Sequence, residues 1–113
     1  MKLRLEKGSI KVRLSTEEIS RLSTDKFLEE RLNISEGNAF GFSVQILSDQ
    51  KSIAVRFQNN NLEIIVPEAS AQKWMNSKQI GIKETFHTNL GESMDLVVEE
   101  DLPPRKTKNP GLN

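Results

Sequence analysis

Apolar and polar residues alternate along most of the chain, a period of two that is typical of β-strands with one buried face. In the first fourteen residues, leucine, isoleucine and valine alternate with charged residues on either side of Lys7-Gly8. A two-residue turn at Lys7-Gly8, where glycine accepts a positive φ, therefore predicts a β-hairpin. The same alternation predicts six further strands, near residues 27–34, 40–46, 53–57, 62–66, 80–86 and 94–98.

Two segments depart from this alternation and predict short helices. Residues 15–18 have the form of a capping box, in which the serine and the second glutamate satisfy each other's backbone N–H groups. Pro67 suits the first turn of a second helix, on which Ala71 and Trp74 share one face. We therefore expect Trp74 to lie in the core.

The order strand, strand, helix, strand, strand occurs twice in these predicted elements. The two halves align without gaps at an offset of 52 residues, which matches Leu22 with Trp74. Agreement in order and spacing indicates an internal duplication, with repeat units at about residues 2–48 and 54–100. We predict an α+β fold in which two pseudo-symmetric ββαββ units form a bent, mostly antiparallel sheet or partly open barrel with two short helices.

The length of 113 residues corresponds to a single domain, which we place at residues 1–101. Residues 102–113 contain prolines and cations but few apolar groups, and we expect a flexible C-terminal tail there. Sixteen basic and sixteen acidic residues cancel, so the chain as a whole is not attracted to nucleic acid or membrane. Any binding site for an anion must therefore arise locally.

Several kinds of chemistry are missing from the sequence. Without cysteine the chain can form neither disulfides nor thiolate metal sites. No apolar run approaches the ~20 residues that span a membrane, and the opening residues alternate from the start, unlike a signal peptide. We therefore expect a cytoplasmic, bacterial-type protein.

The first hairpin carries the most informative charges. Its predicted register brings two directly opposed pairs of cations together on one face: Lys2 with Arg13, and Arg4 with Lys11. Like charges that lie directly opposite each other destabilise a sheet unless something compensates them. The matching second hairpin instead places Arg56 opposite Glu63, so the first hairpin has a charge pattern that its counterpart lacks.

Three interpretations of these cations follow. Acids of suitable parity on neighbouring strands, Glu29, Asp95 and Glu99, are expected to neutralise them as part of a solvated sheet face. Alternatively, the cations bind a phosphate or another anionic small ligand, or they meet an acidic patch on a partner protein. If an anion binds, the candidate binding residues are Lys2, Arg4, Lys11, Arg13 and Arg56.

No pattern in the sequence predicts a catalytic or metal site, and we expect no cofactor. His87 is the only histidine and lies where a strand gives way to a loop, so a histidine-rich metal site is excluded. Enzymes that cleave triphosphates inside an eight-stranded tunnel are one alternative, but residues 2–7 lack their E-x-E-x-K signature. Nucleic-acid binding is not favoured, because the phenylalanines follow the inward alternation and leave the basic face without a stacking platform.

The N-terminal region resembles a family of small uncharacterised bacterial proteins. The resemblance is carried by KLRL at residues 2–5 and SIKVRLSTEE at residues 9–18, which are similar to MKIRI and S-x-R-x-R-L-T followed by an acidic helix start. Further similar segments lie at residues 54–57, 66–67 and 97–101. The resemblance implies no known activity, and the chain after residue 101 departs from the longer, more acidic tail of that family.

The function that the sequence favours is a small binding or interaction module that is not an enzyme. The alternative is a phosphate- or nucleotide-binding protein, or an enzyme of the tunnel type, that acts through the basic face. The two hypotheses differ in geometry, because a ligand site needs the cations to converge in a concavity, whereas an interaction face leaves them spread over a sheet.

Overall fold

The computed structural model describes residues 1–102, in which the chain forms eight strands and two helices. The first half contains β1 (Lys2–Glu6), β2 (Ser9–Leu14), α1 (Thr16–Asp25), β3 (Phe27–Ser35) and β4 (Asn38–Leu47). The second half contains β5 (Ala54–Gln58), β6 (Asn61–Pro67), α2 (Glu68–Met75), β7 (Gly81–His87) and β8 (Ser93–Glu100). The predicted α+β class and ββαββ order are confirmed, while the predicted tail lies, from residue 103 onward, outside the described residues.

The strands form two four-stranded sheets. Sheet 1 has the order β1-β2-β8-β7, and sheet 2 has the order β3-β4-β6-β5. In each sheet the central pair is parallel and the two outer pairs are antiparallel. The pairing is thus mostly antiparallel, as predicted, and the strands of the described range form two separate sheets and no closed barrel.

Each sheet is built from one hairpin of each half. The helices explain this exchange, since α1 carries the chain from β2 in sheet 1 to β3 in sheet 2, and α2 carries it back from β6 to β7. The strand before each helix runs toward the helices, and the strand after it runs away from them. Both helices therefore lie at one end of the sheets, the helix end, and the four hairpin turns lie at the other, the hairpin end.

The two halves correspond strand by strand, but not at one constant offset. Val12 and Ile64 occupy the same place in the β1–β2 and β5–β6 hairpins, 52 residues apart. In the β3–β4 and β7–β8 hairpins, by contrast, Leu28 corresponds to Ile82, 54 residues apart. The gap-free alignment at 52 is therefore wrong after the helices.

Backbone hydrogen bonds between the elements support the offset of 54. The N–H of Ile46 donates to the carbonyl of Lys26 at 2.9 Å, and the N–H of Glu100 donates to the carbonyl of Ile80 at 3.0 Å. Both partners of the second bond lie 54 residues after those of the first. The two extra residues belong to the connection from α2 to β7, which is longer than the single residue between α1 and β3.

The core lies between the two sheets and is closed at the helix end by both helices. The buried apolar side chains form one cluster, to which both sheets and both helices contribute. Leu22 of α1 and Trp74 of α2 are almost fully buried, and the Trp74 indole Nε1 donates a hydrogen bond to the Ile80 carbonyl at 2.8 Å. The prediction that Trp74 belongs to the core is confirmed.

Candidate functional site

The four cations of the first hairpin share the face of sheet 1 that points away from the core. The register pairs Lys2 with Arg13 and Arg4 with Lys11, as the turn at Lys7-Gly8 predicts. Together with Leu3, these four side chains line an open concavity of about 180 Å³. We call this concavity the hairpin hollow.

Two of the four cations are held by carboxylates at the helix end of the face. Lys2 Nζ lies 2.8 Å from Asp101 Oδ2, and Arg13 Nε donates to Glu99 Oε2 at 2.8 Å. The hydrogen bond from Lys2 lowers the pKa of Asp101 from its ordinary value of 3.8. These solvent-exposed pairs add little stability, but they fix the direction of both cationic side chains.

The other two cations are less well compensated. Arg4 makes one contact of 3.2 Å with Glu6, its neighbour on the same strand, and both groups are exposed. Lys11 is only partly exposed, and no carboxylate of residues 1–102 lies within 4.0 Å of its ammonium. Residues 103–113 contain no aspartate or glutamate.

The acids predicted to neutralise the face have different positions. Glu99 does so, whereas Asp95 accepts a hydrogen bond from the Thr85 hydroxyl at 2.7 Å and contacts no cation. Glu29 lies in sheet 2, away from the hairpin. The second neutralising acid is Asp101, which the prediction missed although it continues the odd-numbered parity of Asp95 and Glu99.

A row of outward residues crosses all four strands of sheet 1 through the hollow. We call it the cationic row, and its members, which are register partners on successive strands, are Arg4, Lys11, Val97 and Lys83. Adjacent strands lie about 4.8 Å apart, so the row spans roughly 14 Å. Lys83 is exposed and, like Lys11, forms no ion pair with the described residues. The sequence analysis did not place it in the candidate site.

Sheet 2 provides an internal comparison for this row. The corresponding residues, at offsets of 52 and 54, are Arg56, Glu63, Ser43 and Glu29. This row contains one cation and two carboxylates, and Arg56 Nη2 lies 2.7 Å from Glu63 Oε1. The same place in the same architecture thus tolerates a different charge, so the three cations of sheet 1 are not a requirement of the fold.

Arg56 is the one predicted site residue that the structure does not bring to the others. It lies on the outer face of sheet 2, where it forms an ion pair with Glu63 through both Nε and Nη2. The remaining four, Lys2, Arg4, Lys11 and Arg13, surround the hairpin hollow.

A second concavity opens between the two sheets at the hairpin end. This groove, of about 330 Å³, has an apolar lining that includes Phe57, Phe86 and Met94. His87 is also among its lining residues and is exposed as the last residue of β7. Within residues 1–102 no three histidine, aspartate or glutamate side chains are grouped as metal ligands would be.

Neither described helix has the length and apolar character needed to cross a membrane. Comparison with curated proteins and with solved structures found no match for the chain. A family model of unknown function, DUF7009, matches residues 1–108. The protein therefore belongs to the DUF7009 family.

Proposed function

We propose that this protein is a non-enzymatic binding module that holds an anionic group in the hairpin hollow. The observation that carries the proposal is the cationic row, which has three cations where the corresponding row of sheet 2 has one cation and two carboxylates. Opposed cations destabilise a sheet, and the sheet 2 row demonstrates that this fold can be built without them. A bound anion supplies the missing compensation.

Lys11 and Arg4 are the residues proposed to contact the anion. The Lys11 ammonium is a compact point charge with no acidic partner in the described chain, and the exposed Arg4 guanidinium can direct two N–H groups at one phosphate or carboxylate. Lys2 and Arg13 line the same hollow, but Asp101 and Glu99 already accept hydrogen bonds or ion pairs from them. Their role is to raise the positive potential around the bound group.

The proposal is tested by calorimetric titration with tripolyphosphate at low salt. We expect saturable binding that weakens steeply as salt is added, because exposed charges are screened beyond about 10 Å at 0.1 M ionic strength. Lys11→Ala combined with Arg4→Ala removes both proposed contacts and should abolish binding. No heat of binding at low salt, or equal binding by the double variant, contradicts the proposal.

Two substitutions in sheet 2 serve as the matched control. Arg56→Ala removes the arginine that corresponds to Arg4, and its effect on total charge equals that of Arg4→Ala. Binding should be unchanged in Arg56→Ala if the hollow is the site. A loss of the same size in both variants indicates attraction to net charge alone and counts against a defined site.

The proposal retains three expectations that come from the sequence. We infer that the halves arose by internal duplication, supported by the equivalent hydrogen bonds of Ile46 and Glu100. A bacterial origin is supported by the resemblance of the N-terminal region to bacterial proteins. A cytoplasmic location is supported by the alternating, charged N-terminus.

A further inference from the structure

We propose that the partner is an acidic segment of another protein, which lies across the strands of sheet 1 along the cationic row. This inference rests on the proposed function and assigns two further residues to the site. Lys83 binds a second acidic group, and Val97 contacts an apolar side chain located between the acidic ones. The recognised segment thus has the order acidic, apolar, acidic.

The first argument is the spacing of the uncompensated lysines. Lys11 and Lys83 are both register partners of Val97, one on each neighbouring strand. Two strand spacings separate them, which is about 9.6 Å between their backbones. A single phosphate or carboxylate in the hairpin hollow reaches Lys11 but leaves Lys83 unused, whereas a segment with two acidic groups reaches both.

The second argument is the residue between the two lysines. Val97 is a partly exposed apolar side chain at the centre of a charged row, and its counterpart in sheet 2 is the polar residue Ser43. An apolar side chain of a partner gains free energy when it covers this valine. Inorganic polyphosphate offers no such group, so the valine favours a peptide.

The third argument is that carboxylates flank the row on both sides. Glu6 and Asp95 lie in the outward row toward the hairpin end, and Glu99 lies in the row toward the helix end. A narrow line of negative charge fits between these flanks, whereas the broad charge of a nucleic-acid backbone is repelled by them. The outward face of sheet 1 also has no aromatic residue on which a base could stack.

The test uses a labelled synthetic peptide, acetyl-Gly-Glu-Glu-Leu-Glu-Glu-Gly-amide, and fluorescence anisotropy at low salt. A matched peptide has asparagine in place of leucine and the same charge. We expect Lys83→Ala to weaken binding of the leucine peptide about threefold to fivefold, as loss of one exposed charge contact does. Val97→Thr keeps the branched shape of the side chain and should erase the preference for the leucine peptide over the asparagine peptide.

The outcomes separate this inference from the proposed function. If Lys11→Ala weakens peptide binding while Lys83→Ala does not, the hollow binds an anion but the extended segment is wrong. If Val97→Thr leaves both peptides equal to their wild-type affinities, the apolar contact is wrong. If tripolyphosphate binds more tightly than the leucine peptide and competes with it, the partner is a phosphate-rich ligand and the inference is overturned. Thermal melting of every variant checks that the fold is intact.

Discussion

At the scale of single residues, Gly81 allows β7 and β8 to approach closely beside the candidate site. A Cβ on Gly81 would lie 2.6 Å from the Cα of Glu99 and still closer to the carbonyl oxygen of Val98. Both neighbours are backbone atoms of a central strand and cannot move without breaking the pairing. Because Glu99 holds Arg13, the space provided by this glycine also sets the position of one wall of the hairpin hollow.

Replacement of Gly81 by alanine should therefore lower the free energy of unfolding by about 1–3 kcal/mol, the usual cost of a forced overlap. Gly41→Ala is the matched control, since a Cβ there overlaps the ends of the Asn61 and Arg31 side chains, which can rotate away. Urea denaturation of both variants measures the difference. Equal losses in the two variants contradict the explanation based on backbone contact.

Trp74 gives a second prediction at this scale. Its side chain is 3% exposed and ties α2 to the start of β7 through the bond to the Ile80 carbonyl. Trp74→Ala should lower the free energy of unfolding by roughly 3–5 kcal/mol, as truncation of large buried side chains does. Trp74→Phe keeps most of the volume and should cost less; a loss below about 1 kcal/mol for Trp74→Ala in chemical denaturation means that the indole is not part of the core.

At the scale of elements, the start of β1 and the start of α1 are joined by one carboxylate. The predicted capping box forms, with Glu18 accepting from the Ser15 N–H at 2.9 Å and Ser15 Oγ accepting from the Glu18 N–H at 3.1 Å. Glu18 also accepts a hydrogen bond from the N-terminal amine of Met1, which lies 2.6 Å from Glu30 as well. This cluster connects the edge strand of sheet 1 to the helix and to sheet 2.

Stability should depend on pH through this cluster. Burial disfavours the charged forms, but the mutual hydrogen bonds outweigh it, so the pKa of Glu18 is lowered from 4.5 and that of the Met1 amine is raised from 8.0. A lowered carboxyl pKa gives stability that is present above pH 4.5 and lost as pH falls through the folded value. A raised amine pKa gives stability that is present below pH 8.0 and lost as pH rises through the folded value.

The free energy of unfolding should therefore be highest between about pH 5 and pH 8 and fall on both sides. Glu18→Gln should lower it by about 1–3 kcal/mol at neutral pH and flatten both slopes. The exposed neighbour Glu17 supplies the control, because Glu17→Gln removes the same charge without touching the amine. Denaturation curves at several pH values test this, and unchanged slopes in Glu18→Gln contradict the role of the cluster.

Element boundaries and hairpin registers could be predicted from the sequence because they depend on local alternation and turn residues. The partners of β2 and β4 could not be, since parallel pairing joins strands that are distant in the chain, such as Ile10 and Leu96. The two-residue shift between the halves was also hidden. A strand displaced by two keeps the same face inward, so Leu28 matches Ile80 and Ile82 equally well by pattern alone.

The candidate site was predictable to the same extent. Lys2, Arg4, Lys11 and Arg13 follow from one hairpin, so their common face is a local property. Lys83 joins them only because β8 lies between β2 and β7, which no local pattern reveals. Arg56 was assigned to the site by analogy with Arg4, and the exchange of hairpins between the sheets puts it on the other side of the molecule.

At the scale of the whole molecule, neither half completes a sheet by itself. Sheet 1 needs β1 and β2 from the first half and β7 and β8 from the second, and sheet 2 has the reverse composition. Separate fragments of residues 1–50 and 51–113 each lack the parallel partner of both their central strands. The core cluster likewise draws on both halves, so cooperative folding belongs to the pair.

Each fragment alone should therefore show no cooperative thermal transition by circular dichroism. An equimolar mixture should recover β-structure and a transition near that of a full chain cleaved between residues 50 and 51. Measurements at several concentrations distinguish pairing of unlike fragments from self-association of residues 1–50. A fragment that melts cooperatively as a monomer contradicts the interdependence of the halves.

The ion pair of Lys2 with Asp101 brings the first and last described strands to the same end of sheet 1. A circular permutant is therefore accessible, in which the chain begins at residue 51 and residues 103–113 run into Met1. Its two halves appear in reversed order, yet every strand keeps its neighbours. What the permutant loses is the free amine at Met1, so the decline of stability above pH 8 should disappear while the fold remains, which makes chain order and N-terminal chemistry separable properties of this molecule.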